Sequence, residues 1–200
     1  MTHRDVRVKR LRIRVAVFAL VVIIGLILDR ATKLWAMGAL QYGKQIVFIP
    51  NFIMFSLVRN AGASFAFGSG ATCFISLFAI AACVALVFAI CRTKSLQWTL
   101  VLSLAFAGAF GNLIDRAIYA EHFLDGKVID FINYGWSVGN VADIILAIAG
   151  VWLVALVLLE LPFKPGETSD ETSNESNESA ESAEISAKVS AKESAKESNE

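Results

Sequence analysis

The stretch WSVGNVADIILAIAGVWLVALVLL, residues 136–159, decides the fold. It runs for 24 residues with a single charge, Asp143. About 20 apolar residues suffice for a helix to cross a bilayer. An acid inside such a stretch is costly and calls for a partner or a task.

Working outward, three more stretches have the same character. Val15–Leu28 is uninterrupted apolar or glycine and continues through Asp29, Arg30 and Lys33 to about Met37. Ala71–Cys91 carries no charge over 21 residues, roughly 31 Å of helix at the usual rise. Leu96–Ile114 carries none over 19. Asp29-Arg30, rather than a small-residue cleavage site, follows the first stretch, so it reads as a span and not as a signal peptide. The chain is 56% hydrophobic and 18% charged, with a mean hydropathy of +0.60, which excludes an ordinary water-soluble domain.

The net charge of zero averages two unlike parts. Residues 1–166 hold 15 Lys and Arg against 8 Asp and Glu, and residues 167–200 hold 3 Lys against 10 acids. Basic residues crowd the lead-in (Arg4, Arg7, Lys9, Arg10, Arg12, Arg14) and the turn at Arg92 and Lys94. By the positive-inside rule both termini and that turn are cytoplasmic. The outer segments are then 38–70 and 115–135. Gln45–Val58, broken by Pro50-Asn51, predicts two short strands with a turn. Lys127–Asn133 predicts another strand. The expected architecture is an all-α membrane protein of four transmembrane helices, about 15–37, 71–91, 96–114 and 136–159. A small extracytoplasmic β-rich cradle lies between helices 1 and 2. Residues 1–14 form a basic cytoplasmic N-terminus, 15–161 the membrane domain, and 162–200 an acidic Ser/Glu-rich tail. The tail has too few apolar residues to offset its ordering entropy and is expected to be disordered.

Once the tail is set aside, acids are few, and several recur at span ends with polar neighbours. Asp29 and Lys33 share a helix face at i,i+4. They read either as an interfacial ion pair or as a support for other polar groups. Asn112 shares a face with Asp115 and Arg116. Asp115, beside Arg116, reads as a structural pair or a substrate clamp rather than a proton-transfer acid. Asp130 lies in apolar Val128–Phe131, and Asp143 follows Asn140 by three residues. Each taken alone can be a buried structural acid. Brought together, two carboxylates share a proton, one acting as base on water and the other as acid on a carbonyl.

Other chemistries find less support. His3 and His122 are too few and too distant for a zinc site of the HExxH kind. Cys73, Cys83 and Cys91 share one apolar run and read as core or lipid-facing residues. Gly62-Ala63-Ser64-Phe65-Ala66 lacks the last glycine of a hydrolase elbow, and Ser64 has only His122 as an outer-side base. Gly108 and Gly111 mark a small-residue face for close helix packing. A proton or ion path and a non-catalytic scaffold remain as rival readings of the acids.

Five pieces in order carry a resemblance: Asp29-x-x-Thr32-Lys33, Arg59-Asn60-x-Gly62-Ala63-Ser64-Phe65, Gly111-Asn112-x-x-Asp115-Arg116, Val128-x-Asp130-Phe131 and Asn140-x-Ala142-Asp143. Over about residues 15–160 the chain resembles bacterial lipoprotein signal peptidase (signal peptidase II), an aspartic peptidase family. The resemblance implies removal of a signal peptide from a prolipoprotein, just before a diacylglyceryl-modified cysteine. It implies Asp130 and Asp143 as the catalytic pair. Asn60, Asn112, Arg116 and Asn140 become pocket residues, with Asp29, Lys33 and Asp115 in support. It implies neither metal nor cofactor. The expected partners are the lipidated substrate and membrane lipid, not nucleic acid, with the chain acting as a monomer. The expected location is the bacterial cytoplasmic membrane, with the site toward the extracytoplasmic side.

Overall fold

The computed structural model describes residues 3–50, 52–62 and 70–164, with the backbone alone at 3–7, 70 and 71. The chain divides after Leu161, and the disorder expected of the tail lies outside the described residues. Among the described residues, four helices are long and apolar enough to cross a membrane. They are α1 (His3–Ala39), α2 (Gly70–Arg92), α3 (Leu96–Ile118) and α4 (Val141–Leu158).

Local chemistry sets the helix ends. Ser95 caps α3, its Oγ accepting from the Trp98 N–H, after the short turn that follows Arg92. Asn140 caps α4 in a reciprocal capping box with Asp143. Helix α3 is the central element, packed against α1, α2 and α4. Missing side chains allow that approach. A Cβ on Gly108 would fall 2.7 Å from the Ala142 carbonyl oxygen, and one on Gly25 would fall 2.9 Å from Ala107 Cβ. Apolar helices in lipid gain from such close backbone contact, since burial from water no longer drives them together.

The polypeptide between helices forms one antiparallel sheet in the order β1-β2-β3-β4. Its strands are β1 (Gln45–Ile49), β2 (Ile53–Asn60), β3 (Val128–Asn133) and β4 (Val138–Gly139). Strand β1 is exposed throughout and β3 is buried throughout. Leu57, Ile129, Phe131 and Ile132 pack with Ala36 and Leu40, which ties the sheet to the end of α1. Trp35 reinforces this contact, its ring 5.5 Å from Phe55 and 6.1 Å from Phe131, both edge-on.

The structure departs from the sequence expectations in four places. The basic lead-in is not a separate segment, because α1 already begins at His3. Helix α3 runs on to Ile118, so Asp115 and Arg116 lie inside it rather than beyond it. The stretch 136–159 is not helical from its start. Val138–Gly139 pairs with β3, and the Asn140 cap delays the helix to Val141. The cradle is not confined to the segment between the first two helices, since β3 and β4 come from between α3 and α4. Pairing with β2 buries β3 in the middle of the sheet, and that placement carries Asp130 inward.

Candidate active site

Where the sheet meets α1, α3 and α4, a set of polar side chains is buried. Asp29, Lys33, Asp115, Arg116, Asp130 and Asn140 are each less than a tenth exposed. Buried charges persist only when paired and hydrogen-bonded. The network meets that requirement at nearly every atom.

Asp130 projects from β3. Its Oδ2 accepts from Asn60 Nδ2 at 2.8 Å, and its Oδ1 accepts from Asn140 Nδ2 at 2.6 Å. Asn60 is the last residue of β2 and pairs with Val128, which sets its amide beside Asp130. Burial pushes the Asp130 carboxyl up to about 6. The two amide donors pull the other way, and the Asp143 charge adds to the rise.

Asp143 stands in the first turn of α4. Its Oδ1 accepts from Asn112 Nδ2 at 2.8 Å, and its Oδ2 accepts from the Asn140 N–H at 3.0 Å. The Asn140 side-chain oxygen accepts from the Asp143 N–H at 3.1 Å. Asn140 therefore bonds both acids at once and also donates to Asn112 Oδ1 at 3.1 Å. A Cβ at Gly139 would sit 2.9 Å from Asp143 Oδ2, so only glycine leaves that carboxylate its place.

A second tier lies behind the acids. Lys33 is fully buried, and its Nζ donates to Asp29 at 2.8 Å and Asn112 at 3.1 Å and forms an ion pair with Asp115 at 2.8 Å. Asp29 also accepts from the Ala142 N–H near the start of α4, and Asp115 from the Ile129 N–H of β3. Thus Lys33 fixes Asn112, and the two supporting acids fix the backbone on either side of the front pair.

Of the candidate site residues, Asp29, Lys33, Asn60, Asn112, Asp115, Asp130, Asn140 and Asp143 are joined in this network, and Arg116 borders it. The pairing of Asp115 differs from the expectation. Its cations are Arg30, at 2.6 Å, and Lys33, not the adjacent Arg116. Neighbours at i,i+1 on a helix point about 100° apart, so adjacency in sequence did not make a pair. Arg116 instead has its Nε buried without a hydrogen-bond partner among the described residues. Arg30, Gly111 and Gly139 were missed as contributors. For Gly111 the available signal was its place on the small-residue face of α3, where a Cβ would come 2.9 Å from Asp29 Oδ2. Ala63, Ser64 and Phe65 lie outside the described residues. Among the described residues, no three His, Cys, Asp or Glu side chains are grouped to hold a metal ion.

The chain is similar to known proteins over most of its length. A family model described as signal peptidase (SPase) II matches residues 21–159. The lipoprotein signal peptidase of Bifidobacterium longum is 61% identical over 155 residues, covering 78% of this chain and 85% of that protein. That of Mycolicibacterium smegmatis is 36% identical over 169 residues, covering 81% and 70%. A solved bacterial membrane enzyme, determined in meso at 1.9 Å, superposes with a TM-score of 0.64 at 30% identity. It covers 70% of this chain and 92% of that one.

Proposed function

Since the chain belongs to the signal peptidase II family, we propose that it removes prolipoprotein signal peptides as an aspartic endopeptidase, with Asp130 and Asp143 as the catalytic pair. The observation that carries this reading is the bonding of both acids to one residue, Asn140. Two carboxylates held by a common partner share one proton, because ionising both in a buried site is unfavourable.

In this mechanism the ionised member takes a proton from water, and the water oxygen attacks the scissile carbonyl carbon. The protonated member gives its proton to the carbonyl oxygen. The tetrahedral intermediate then collapses: the C–N bond breaks, the leaving amine takes up the proton that water lost, and one hydroxyl of the new carboxyl group returns its proton to the acid that gave it. The scissile bond is the one just before a cysteine carrying diacylglycerol. The lipid portion stays among the spans while the peptide reaches the polar cluster. In this reading Arg116, whose buried Nε has no hydrogen-bond partner among the described residues, takes a substrate carbonyl. Asn60, Asn112 and Asn140 orient the acids. Asp29, Lys33 and Asp115 hold those orienting groups.

The basic residues of the lead-in and the α2–α3 turn favour a cytoplasmic location for that end. The polar cluster at the opposite ends of the helices then faces the extracytoplasmic side of the bacterial cytoplasmic membrane. That one chain contains all the residues invoked supports a monomer as the working unit.

The test is cleavage of a diacylglyceryl-modified prolipoprotein by the purified protein in detergent, with and without a chelator. Wild type cuts before the lipidated cysteine in both conditions. Asp130→Asn and Asp143→Asn fold but are inactive. Normal cutting by either variant would remove the pair from the mechanism.

A further inference from the structure

The proposed mechanism uses nothing from α2, yet that helix buries two hydroxyls in its first two turns. Thr72 is 3% exposed and Ser76 is fully buried. A hydroxyl in an apolar helix commonly bonds back to its own backbone. Ser76 does so in part, its Oγ lying 3.0 Å from the Thr72 carbonyl oxygen and 2.6 Å from that of Leu124. Thr72 reaches off the helix, its Oγ1 donating to the Ala61 carbonyl at 2.9 Å.

That carbonyl belongs to the same planar peptide unit as the Gly62 N–H. The N–H donates to Asn60 Oδ1 at 2.7 Å. With its oxygen so engaged, the Asn60 carboxamide turns Nδ2 toward Asp130 Oδ2, at 2.8 Å. Gly62 has a φ of +83°, in the left-handed region that glycine enters freely. A Cβ there would fall 2.5 Å from Ile75 Cδ1 of α2 and 3.4 Å from Arg116 Nη2. The peptide is thus held at its oxygen by Thr72 and packed at Gly62 against Ile75. Hydrogen bonds run in one direction along this path: hydroxyl to peptide carbonyl, peptide N–H to carboxamide oxygen, carboxamide N–H to carboxylate. Both linking groups are amides, and an amide that accepts at its oxygen donates more strongly from its nitrogen.

We infer that Thr72 is a positioning residue for Asp130, acting through the Ala61–Gly62 peptide and the Asn60 carboxamide. The inference rests on the proposed role of Asp130 and Asp143. Removing the hydroxyl leaves in place every group that faces Asp130: Asn60 of β2, Asn140 and Asp143 at α4, Lys33 of α1, Arg116 of α3, and Tyr134 just past β3. What changes is how firmly and how strongly Asn60 donates. That donation favours the charged carboxyl, so its weakening raises Asp130, in the same direction as loss of Asn60 but by less.

The test is the pH profile of kcat/KM for cleavage of a diacylglyceryl-modified prolipoprotein, with thermal melting of the same samples. The positions of the limbs do not depend on how much protein is folded. Thr72→Val, nearly the same shape, should lower kcat about fivefold with KM little changed. It should also move both limbs a few tenths of a unit to higher pH. Thr72→Ser keeps the hydroxyl and should restore the wild-type profile. Ser76→Ala deletes the neighbouring buried hydroxyl and should lower the melting temperature while leaving the limbs in place. In an Asn60→Ala background, Thr72→Val should add no further shift. A profile that Asn60→Ala moves and Thr72→Val does not would overturn the inference, as would an equal shift in Ser76→Ala. Infrared titration of the Asp130 carboxyl, with Asp130→Asn as the blank, keeps this inference apart from the catalytic one. The Thr72→Val shift should appear there in the resting protein, whether or not that protein cuts. An Asp130 titration unmoved by Thr72→Val removes Thr72 from the path and leaves the acid pair standing.

Discussion

Asn140 Nδ2 lies 2.6 Å from Asp130 Oδ1, the shortest bond made by either front acid. The same residue caps α4 and binds Asp143 through its backbone N–H. One residue thus sets both the start of a helix and the placement of two carboxylates. Asn140→Ala removes the side-chain amide that holds Asp130 while keeping the backbone N–H that binds Asp143, and misplacement of reacting groups by about 1 Å costs on the order of 10²-fold. Steady-state kinetics should show kcat down by about that factor with KM little changed. Loss of the cap should lower stability by only about 1 kcal/mol.

Lys33 behaves differently, because it sits among acids in the interior. Lys33→Met leaves Asp29 and Asp115 buried without their shared cation. Removing one partner of a buried ionic group costs about 3–5 kcal/mol. A large fall in melting temperature is expected, and Asp29→Asn added to Lys33→Met should recover part of it. Additive losses in the double variant would show that Lys33 does not act through Asp29.

Arg116 offers the contrast. Its Nε has no hydrogen-bond partner among the described residues. Arg116→Met should leave the unfolding free energy within about 1 kcal/mol of wild type, as expected where a poorly paired buried charge gives way to an apolar side chain. Peptidase activity should nonetheless fall at least tenfold, with the loss in KM if Arg116 meets a ground-state carbonyl. A destabilised but fully active variant would contradict that role.

Under the proposed mechanism the pH profile should report on the pair as a unit. Activity should rise as the pair loses its first proton and fall as it loses its second. Asn60 donates to Asp130, which favours the charged form and holds its carboxyl below where burial alone would put it. Asn60→Ala removes that donor, so Asp130 rises further above about 6. Both limbs of the kcat/KM profile should move to higher pH. A profile that stays in place, or moves to lower pH, would remove Asp130 from the titrating pair.

Glycines in the helices separate packing from propensity. A Cβ at Gly108 meets both the Ala142 carbonyl oxygen and Leu146 Cγ at 2.7 Å, whereas one at Gly150 meets nothing within 4 Å. Gly108→Ala must push α3 from α4 and should cost about 1–3 kcal/mol, as overpacking does. Gly150→Ala should cost nothing. Thermal unfolding of the two variants side by side checks the difference.

Much of this was legible in the sequence, for a physical reason. Long uncharged runs admit few structures in a bilayer, so the four spans were evident from length and hydropathy alone. Acids inside such runs are rare enough to single out Asp29 and Asp143. The strands around Pro50 were readable from β-branched residues and a turn. What escaped was everything that depends on long-range pairing. Nothing local to Val138–Gly139 shows that it pairs with β3 rather than opening a helix. Nothing local to Asp115 shows that its cation comes from Arg30, 85 residues away. Such facts reside in how α1, α3 and the sheet meet.

The reciprocal cap at Asn140 and Asp143 belongs to α4, the last of the described helices. Asp130 depends on that same asparagine for its shorter bond, and Asn112 waits on Asp143 for the acceptor of its amide. A ribosome-bound chain that has threaded α1, α2 and α3 can already join Asp29 and Lys33 to Asn112 and Asp115, but lacks the partners that Asn140 and Asp143 bring. The order of synthesis thus assembles the support before the pair of acids it holds.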